Sequence, residues 1–195
     1  MVRVLIGSVV GGIAQWIVGF LFWGTPLSRI AFAVAPEAAN AALQTALAQT
    51  LTPTGSGTYH IPWPDSAQGT ILHGRGPVAL VMFNTNGFPL SEPSSLIVGL
   101  LLSIVTILLF GVALFGIAGR VADFGSRMRI VVLASVATTL MFTVGQPVFN
   151  AYLPWGYWIY LALSQFVGLI VGGLILVRWF MPGAEVRPAV DPNVP

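Results

Sequence analysis

Residues 96–119 read LIVGLLLSIVTILLFGVALFGIAG, a run with no charged side chain, in which only Ser103 and Thr106 carry a polar group. A helix needs roughly 20 apolar residues to cross about 30 Å of hydrocarbon. Wound at 3.6 residues per turn, this run is apolar on every side, which suits a lipid-embedded helix. In lipid the backbone must satisfy its own polar groups, so helix is expected rather than an isolated strand.

Working outward, three further uncharged stretches of similar character appear: residues 4–24, 130–147 and 157–177. Composition agrees. Of 195 residues 56% are hydrophobic and only 7% charged, with a mean hydropathy of +0.88. Soluble domains carry about 25% charged residues. The sequence therefore predicts an all-α membrane protein, a four-transmembrane-helix bundle with a small periplasmic α+β cap between helices 1 and 2. Transmembrane helix 1 falls within residues 1–24, the periplasmic segment within 25–95 and helices 2–4 within 96–180. Residues 181–195, with four prolines and no apolar period, read as a flexible cytoplasmic tail.

All eight basic residues are arginine. Arg3, Arg120, Arg127, Arg129, Arg178 and Arg187 fall on one side of four alternating spans, and only Arg29 and Arg75 on the other. The positive-inside rule then places both termini and the 120–129 loop of this multi-pass chain in the cytoplasm. Trp16, Trp23, Trp155, Trp158 and Trp179 lie near span ends, where an indole N–H can reach the headgroup layer. Ala33-Val34-Ala35 imitates a signal-peptidase site, but the preceding apolar stretch is longer than a signal core and Pro36 follows, so span one is expected to remain as an anchor.

Between spans one and two, residues 36–51 repeat Leu43, Leu47 and Leu51 every four positions, predicting a short amphipathic helix. Residues 58–63 and 77–83 read as short strands, and Asn84-Thr85-Asn86-Gly87 as a turn. Polar, glycine-bearing sequence separates the two strands.

The absence of cysteine excludes disulfides, thiol catalysis and Cys-ligated metals. No ionisable residue falls inside the four stretches, which argues against a proton pump, an ion-coupled transporter or haem ligation there. Eight scattered arginines make no nucleic-acid surface. No catalytic residue, cofactor or enzymatic activity is expected.

Small residues recur at a spacing of four: Gly7 and Gly11 with Gly12 beside them, Ser95-Gly99-Ser103, and Ser164-Gly168-Gly172. That spacing lines one helix face and lets a second backbone approach, either within the chain or from another subunit. Gln146, Asn150 and Gln165 are candidates for a polar pocket between helices 3 and 4. His60 and His73, with Asp65 between and Met82 beyond, are weak candidates for a copper or zinc site of two imidazoles and a carboxylate, provided that the two strands pair.

Gly57-Thr58-Tyr59, Pro62, Gly76-Pro77, Met82 and the Gly87-Phe88-Pro89 turn, placed between the first and second of four spans, resemble a group of uncharacterised bacterial inner-membrane proteins. The resemblance implies architecture and no catalytic residue. Together these readings predict a non-catalytic accessory, stabilising or assembly subunit of a larger membrane complex, respiratory or photosynthetic for example, whose partners are the lipid bilayer and other integral subunits. The alternatives are a passive small-solute transporter or binder using the pocket between helices 3 and 4, and a periplasmic metal-handling protein.

Overall fold

A computed structural model describes residues 1–89 and 92–182. It is mostly helical, 72% helix and 6% strand, and four of its helical segments are long and apolar enough to span a membrane: Val2–Trp23, Pro93–Gly116, Phe124–Phe149 and Trp155–Phe180. The protein is thus a multi-pass membrane protein. Of the tail read as flexible, Met181 and Pro182 are described, and Met181 is packed into the core rather than free; residues 183–195 lie outside the described residues, as do Leu90 and Ser91.

In chain order the elements are α1 (Val2–Trp23), a 3-10 turn (Pro26–Ile30), α2 (Glu37–Leu51), β1 (Gly57–Ile61), α3 (Ala67–Arg75), β2 (Ala79–Phe83), α4 (Pro93–Gly116), α5 (Phe124–Thr139), α6 (Gly145–Phe149) and α7 (Trp155–Ile175). A π-helical turn, Leu140–Val144, joins α5 to α6, and a second, Leu176–Phe180, extends α7. The first π turn lies just ahead of Pro147, which supplies no N–H and crowds the preceding turn.

Contacts divide the chain into two compact units. The first contains Met1–Thr25, Ser94–Thr139 and the described residues from Leu163 on. Its core is Val4 of α1, Ile107 and Leu114 of α4, Val131 of α5, and Leu176, Val177 and Met181 after α7. Two buried hydroxyls here bond within their own helices. Ser8 donates to the Val4 carbonyl at 2.8 Å and Ser135 to that of Val131 at 2.7 Å, each within its own helix.

The second unit contains Pro26–Pro93 and Leu140–Ala162. Strands β1 and β2 pair antiparallel, with Thr58 opposite Met82, Tyr59 opposite Val81 and His60 opposite Leu80. Tyr59 closes the start of β1 by donating its hydroxyl to the Gly55 carbonyl at 2.6 Å. The peptide bonds Ile61-Pro62 and Gly76-Pro77 are both cis.

Several boundaries differ from those read in sequence. The third span begins at Phe124 rather than 130, because Asp123 caps the helix: its Oδ1 accepts from the Ser126 N–H at 2.8 Å. Arg127 and Arg129 therefore ride on the helix instead of a loop. The strands are shorter than expected, Gly57–Ile61 and Ala79–Phe83, since Pro62 and Pro77 cannot donate to the ladder. Helix α3 was not legible at all. Nor does α2 bury an apolar face: none of its residues is buried, and Leu43 is exposed.

Candidate functional site

The first unit carries an open groove of about 440 Å³ where α1, α4 and α7 meet. Its walls are Gln15, Trp16, Gly19, Phe20, Trp23 and Gly24 from α1 and its end, Leu96, Gly99 and Ser103 from α4, and Ser164, Gln165 and Gly168 from α7. Two indoles tie these helices together. Trp16 Nε1 donates to the Leu96 carbonyl at 3.1 Å, and Trp23 Nε1 donates to Ser164 Oγ at 3.1 Å. Both indole N–H groups are thus taken up by a neighbouring helix. An indole N–H near an unfilled acceptor on a packed helix is satisfied there at once, with no need of solvent. Trp155 and Trp179, by contrast, stay exposed.

Gln15 is the one polar anomaly in this groove. Its Oε1 is shut off from solvent and has no hydrogen-bond partner, and an acceptor left so buried favours any occupant that brings a donor. The glycines differ sharply in surroundings. A Cβ on Gly19 would meet nothing within 4 Å, and one on Gly99 would reach only Trp16, at 3.7 Å. Along the groove, then, backbone is open.

The other small residues are used inside the chain. Gly7 accepts the Phe180 ring against its backbone and Gly12 the backbone of Ile104. Gly11 and Gly172 face each other. Gly168 approaches the Gln15 side chain, a Cβ there lying 3.3 Å from Gln15 Cγ. Of the residues singled out by spacing, Gly99, Ser103, Ser164 and Gly168 converge on the groove, whereas Gly7, Gly11, Gly12 and Gly172 pack among α1, α4, α7 and its π extension, and Ser95 is exposed.

Gln165 lines this groove, while Gln146 and Asn150 belong to the α6 end, where Asn150 Nδ2 donates to the Gln146 carbonyl at 3.2 Å. A second groove, about 340 Å³, lies among Thr106, Leu109, Phe110, Ala113, Ala134, Thr138 and Leu169.

In the second unit the two histidines come together. Ser66 caps α3, accepting the Gly69 N–H at 2.9 Å, and Thr70 Oγ1 donates to the Pro64 carbonyl at 2.7 Å. A Cβ on Gly69 would overlap the Trp63 carbonyl, so only glycine lets α3 fold back this tightly. His73 lies four residues on, on the same helix face. The fold-back brings its ring to 5.3 Å from the ring of His60, centroid to centroid. Tyr152 stacks on His60 at 4.9 Å and 22° and meets His73 edge-on at 6.3 Å. His60 Nε2 is buried without a partner.

At the first turn of α5, Arg127 is 3% exposed and its Nε donates to the Val121 carbonyl at 2.9 Å. Asp123 is held below the usual carboxylate range, chiefly by the Ser126 backbone N–H. Arg178 lies over the Phe124 ring at 5.9 Å.

The fold defines a multi-pass membrane protein whose first unit carries grooves between its helices and whose second unit carries an imidazole pair. No family model, curated protein or solved structure matches the chain.

Proposed function

We propose that the protein is a non-catalytic accessory or assembly subunit of a larger membrane complex, and that it works by helix contact. It resides in the bacterial inner membrane with both termini cytoplasmic and residues 25–95 in the periplasm, a topology that rests on the arginine distribution. The observation that carries the reading is the groove among α1, α4 and α7. Gly19 of α1 and Gly99 of α4 leave backbone open there, with Ser103 and Ser164 beside them, whereas Gly168 is already met by Gln15; a Cβ on Gly19 would have nothing within 4 Å. Without a hydrophobic drive between helices in lipid, association depends on close backbone approach and van der Waals packing, which small residues permit. Glycines filled from within the chain have no such capacity left; those along the groove do. Its occupant is an apolar transmembrane helix of a neighbouring subunit, with a hydroxyl or amide donor at the level of Gln15 Oε1.

The test is extraction in mild detergent followed by mass spectrometry of co-purifying chains. The native protein emerges with stoichiometric integral partners, and Gly19→Leu or Gly19→Trp sheds them while helical content and melting stay unchanged. Recovery as a lone monomer, or partners retained by Gly19→Trp, overturns the reading. So does a groove filled by a lipid alone.

A further inference from the structure

We propose that His60, His73 and Met82 form a binding site for copper(I), the imidazoles supplying two nitrogen donors and the thioether a third, soft one. The proposal does not rest on the groove.

Strand β1 and helix α3 bring residues thirteen apart in sequence to a ring separation of 5.3 Å. Two imidazoles bound to one ion at a tetrahedral angle, each through a nitrogen about 2 Å away, hold their centroids about 5 Å apart. The observed spacing thus needs little adjustment on binding. His60 Nε2 is enclosed and unpartnered, which is where a lone pair serves a metal better than it serves the apoprotein. Tyr152, stacked at 22° on His60, restrains that ring as outer-shell groups commonly do for ligands.

Among the described residues no group of three His, Cys, Asp or Glu is placed to hold an ion. A third donor must then come from another residue type, and register selects it. His60 is opposite Leu80, and Met82 lies two residues further along β2, on the same sheet face. Tyr59 and Phe83 stand in the same diagonal relation on the opposite face, and their rings meet at 6.4 Å. Met82 is 78% exposed, so its thioether is free to swing toward the imidazoles. Thioether sulfur favours copper(I); a set without carboxylate is a poor one for calcium, magnesium or manganese.

Copper(I) alone, titrated into the detergent-solubilised full chain against a chromogenic copper(I) chelator, tests the site. One equivalent should be retained per chain. His60→Ala and His73→Ala should each abolish retention. Met82→Leu should weaken it by at least about tenfold, the lower end of what losing even an outer-shell partner does, and should remove the sulfur signal from X-ray absorption. Met82 is exposed, so this variant folds even where a histidine change does not. No stoichiometric copper(I) on the native chain, retention indifferent to Met82→Leu, or zinc(II) held in preference to copper(I) overturns the assignment.

Discussion

Gly11 and Gly172 meet backbone to backbone. A Cβ on Gly11 would lie 2.7 Å from the Gly172 carbonyl oxygen, and one on Gly172 would lie 2.9 Å from that of Gly11 and 2.6 Å from Ile107 Cδ1. The close packing of α1 on α7 depends on both positions lacking a side chain. Replacing either with alanine should therefore destabilise the helical body by about 1–3 kcal/mol, the range typical of overpacking. Gly19→Ala, with nothing near it, should be neutral or stabilise by up to about 1 kcal/mol through helix propensity. Thermal unfolding in one detergent separates the two outcomes.

The Trp23–Ser164 hydrogen bond ties the end of α1 to the middle of α7 at 3.1 Å. A double-mutant cycle with Trp23→Phe and Ser164→Ala should give a coupling of about 0.5–1.5 kcal/mol. Zero coupling would mean that the bond contributes nothing to helix association.

Helix α3 begins on a side-chain cap and a forced glycine. Ser66→Ala should cost about 1 kcal/mol of local stability through the lost bond to Gly69 N–H. Gly69→Ala should do more, since its Cβ overlaps the Trp63 carbonyl. Both should also separate His73 from His60, read as lost cross-peaks between the two imidazoles in a nuclear Overhauser spectrum.

Asp123 makes α5 acid-sensitive at its first turn. Its carboxyl is depressed below the ordinary value, chiefly by the Ser126 N–H. A depressed acid contributes stability above its unfolded pKa of about 3.9, and that contribution disappears as pH falls through the folded-state value. Protection against amide exchange at Ser126 and Arg127, taken relative to the intrinsic rate at each pH, should fall only in that acid range, and Asp123→Asn should flatten the dependence. A midpoint at or above the ordinary carboxylate value would contradict the cap.

Because the chain contains no cysteine, single introduced thiols report topology without background. In intact cells a membrane-impermeant maleimide should label Asn86→Cys and leave Gly119→Cys unlabelled until the membrane is opened. The reverse pattern would invert the proposed orientation.

Much of this molecule is legible one residue at a time. Crossing a bilayer demands length and apolarity, both linear properties, so all four spans can be read within a few residues. Their errors fall at the ends, where a side chain such as Asp123 or a π turn such as Leu176–Phe180 decides the last turn. The strand pair was readable from residues 78–83 and the turn after them. Helix α3 was not, since Gly69 and Gly74 erase its period and its stability comes from Ser66 and the Trp63 carbonyl.

Sites demanded more. Spacing of four picked out Gly99, Ser103, Ser164 and Gly168 but missed Gly19, and it could not say which positions would be filled from inside, because that depends on how each helix is rotated toward its neighbours. Trp16, Trp23 and Gln15 joined the groove for the same reason; their only signal in sequence was an indole or amide close to a span end. The sequence by itself determined the solvent of this protein, the number of its crossings and the residue types available to it, because transfer of side chains into hydrocarbon is additive along the chain. Which glycines stay open, and that His60 meets His73 across thirteen residues, was decided only by tertiary packing, in which distance along the chain and distance in space are unrelated.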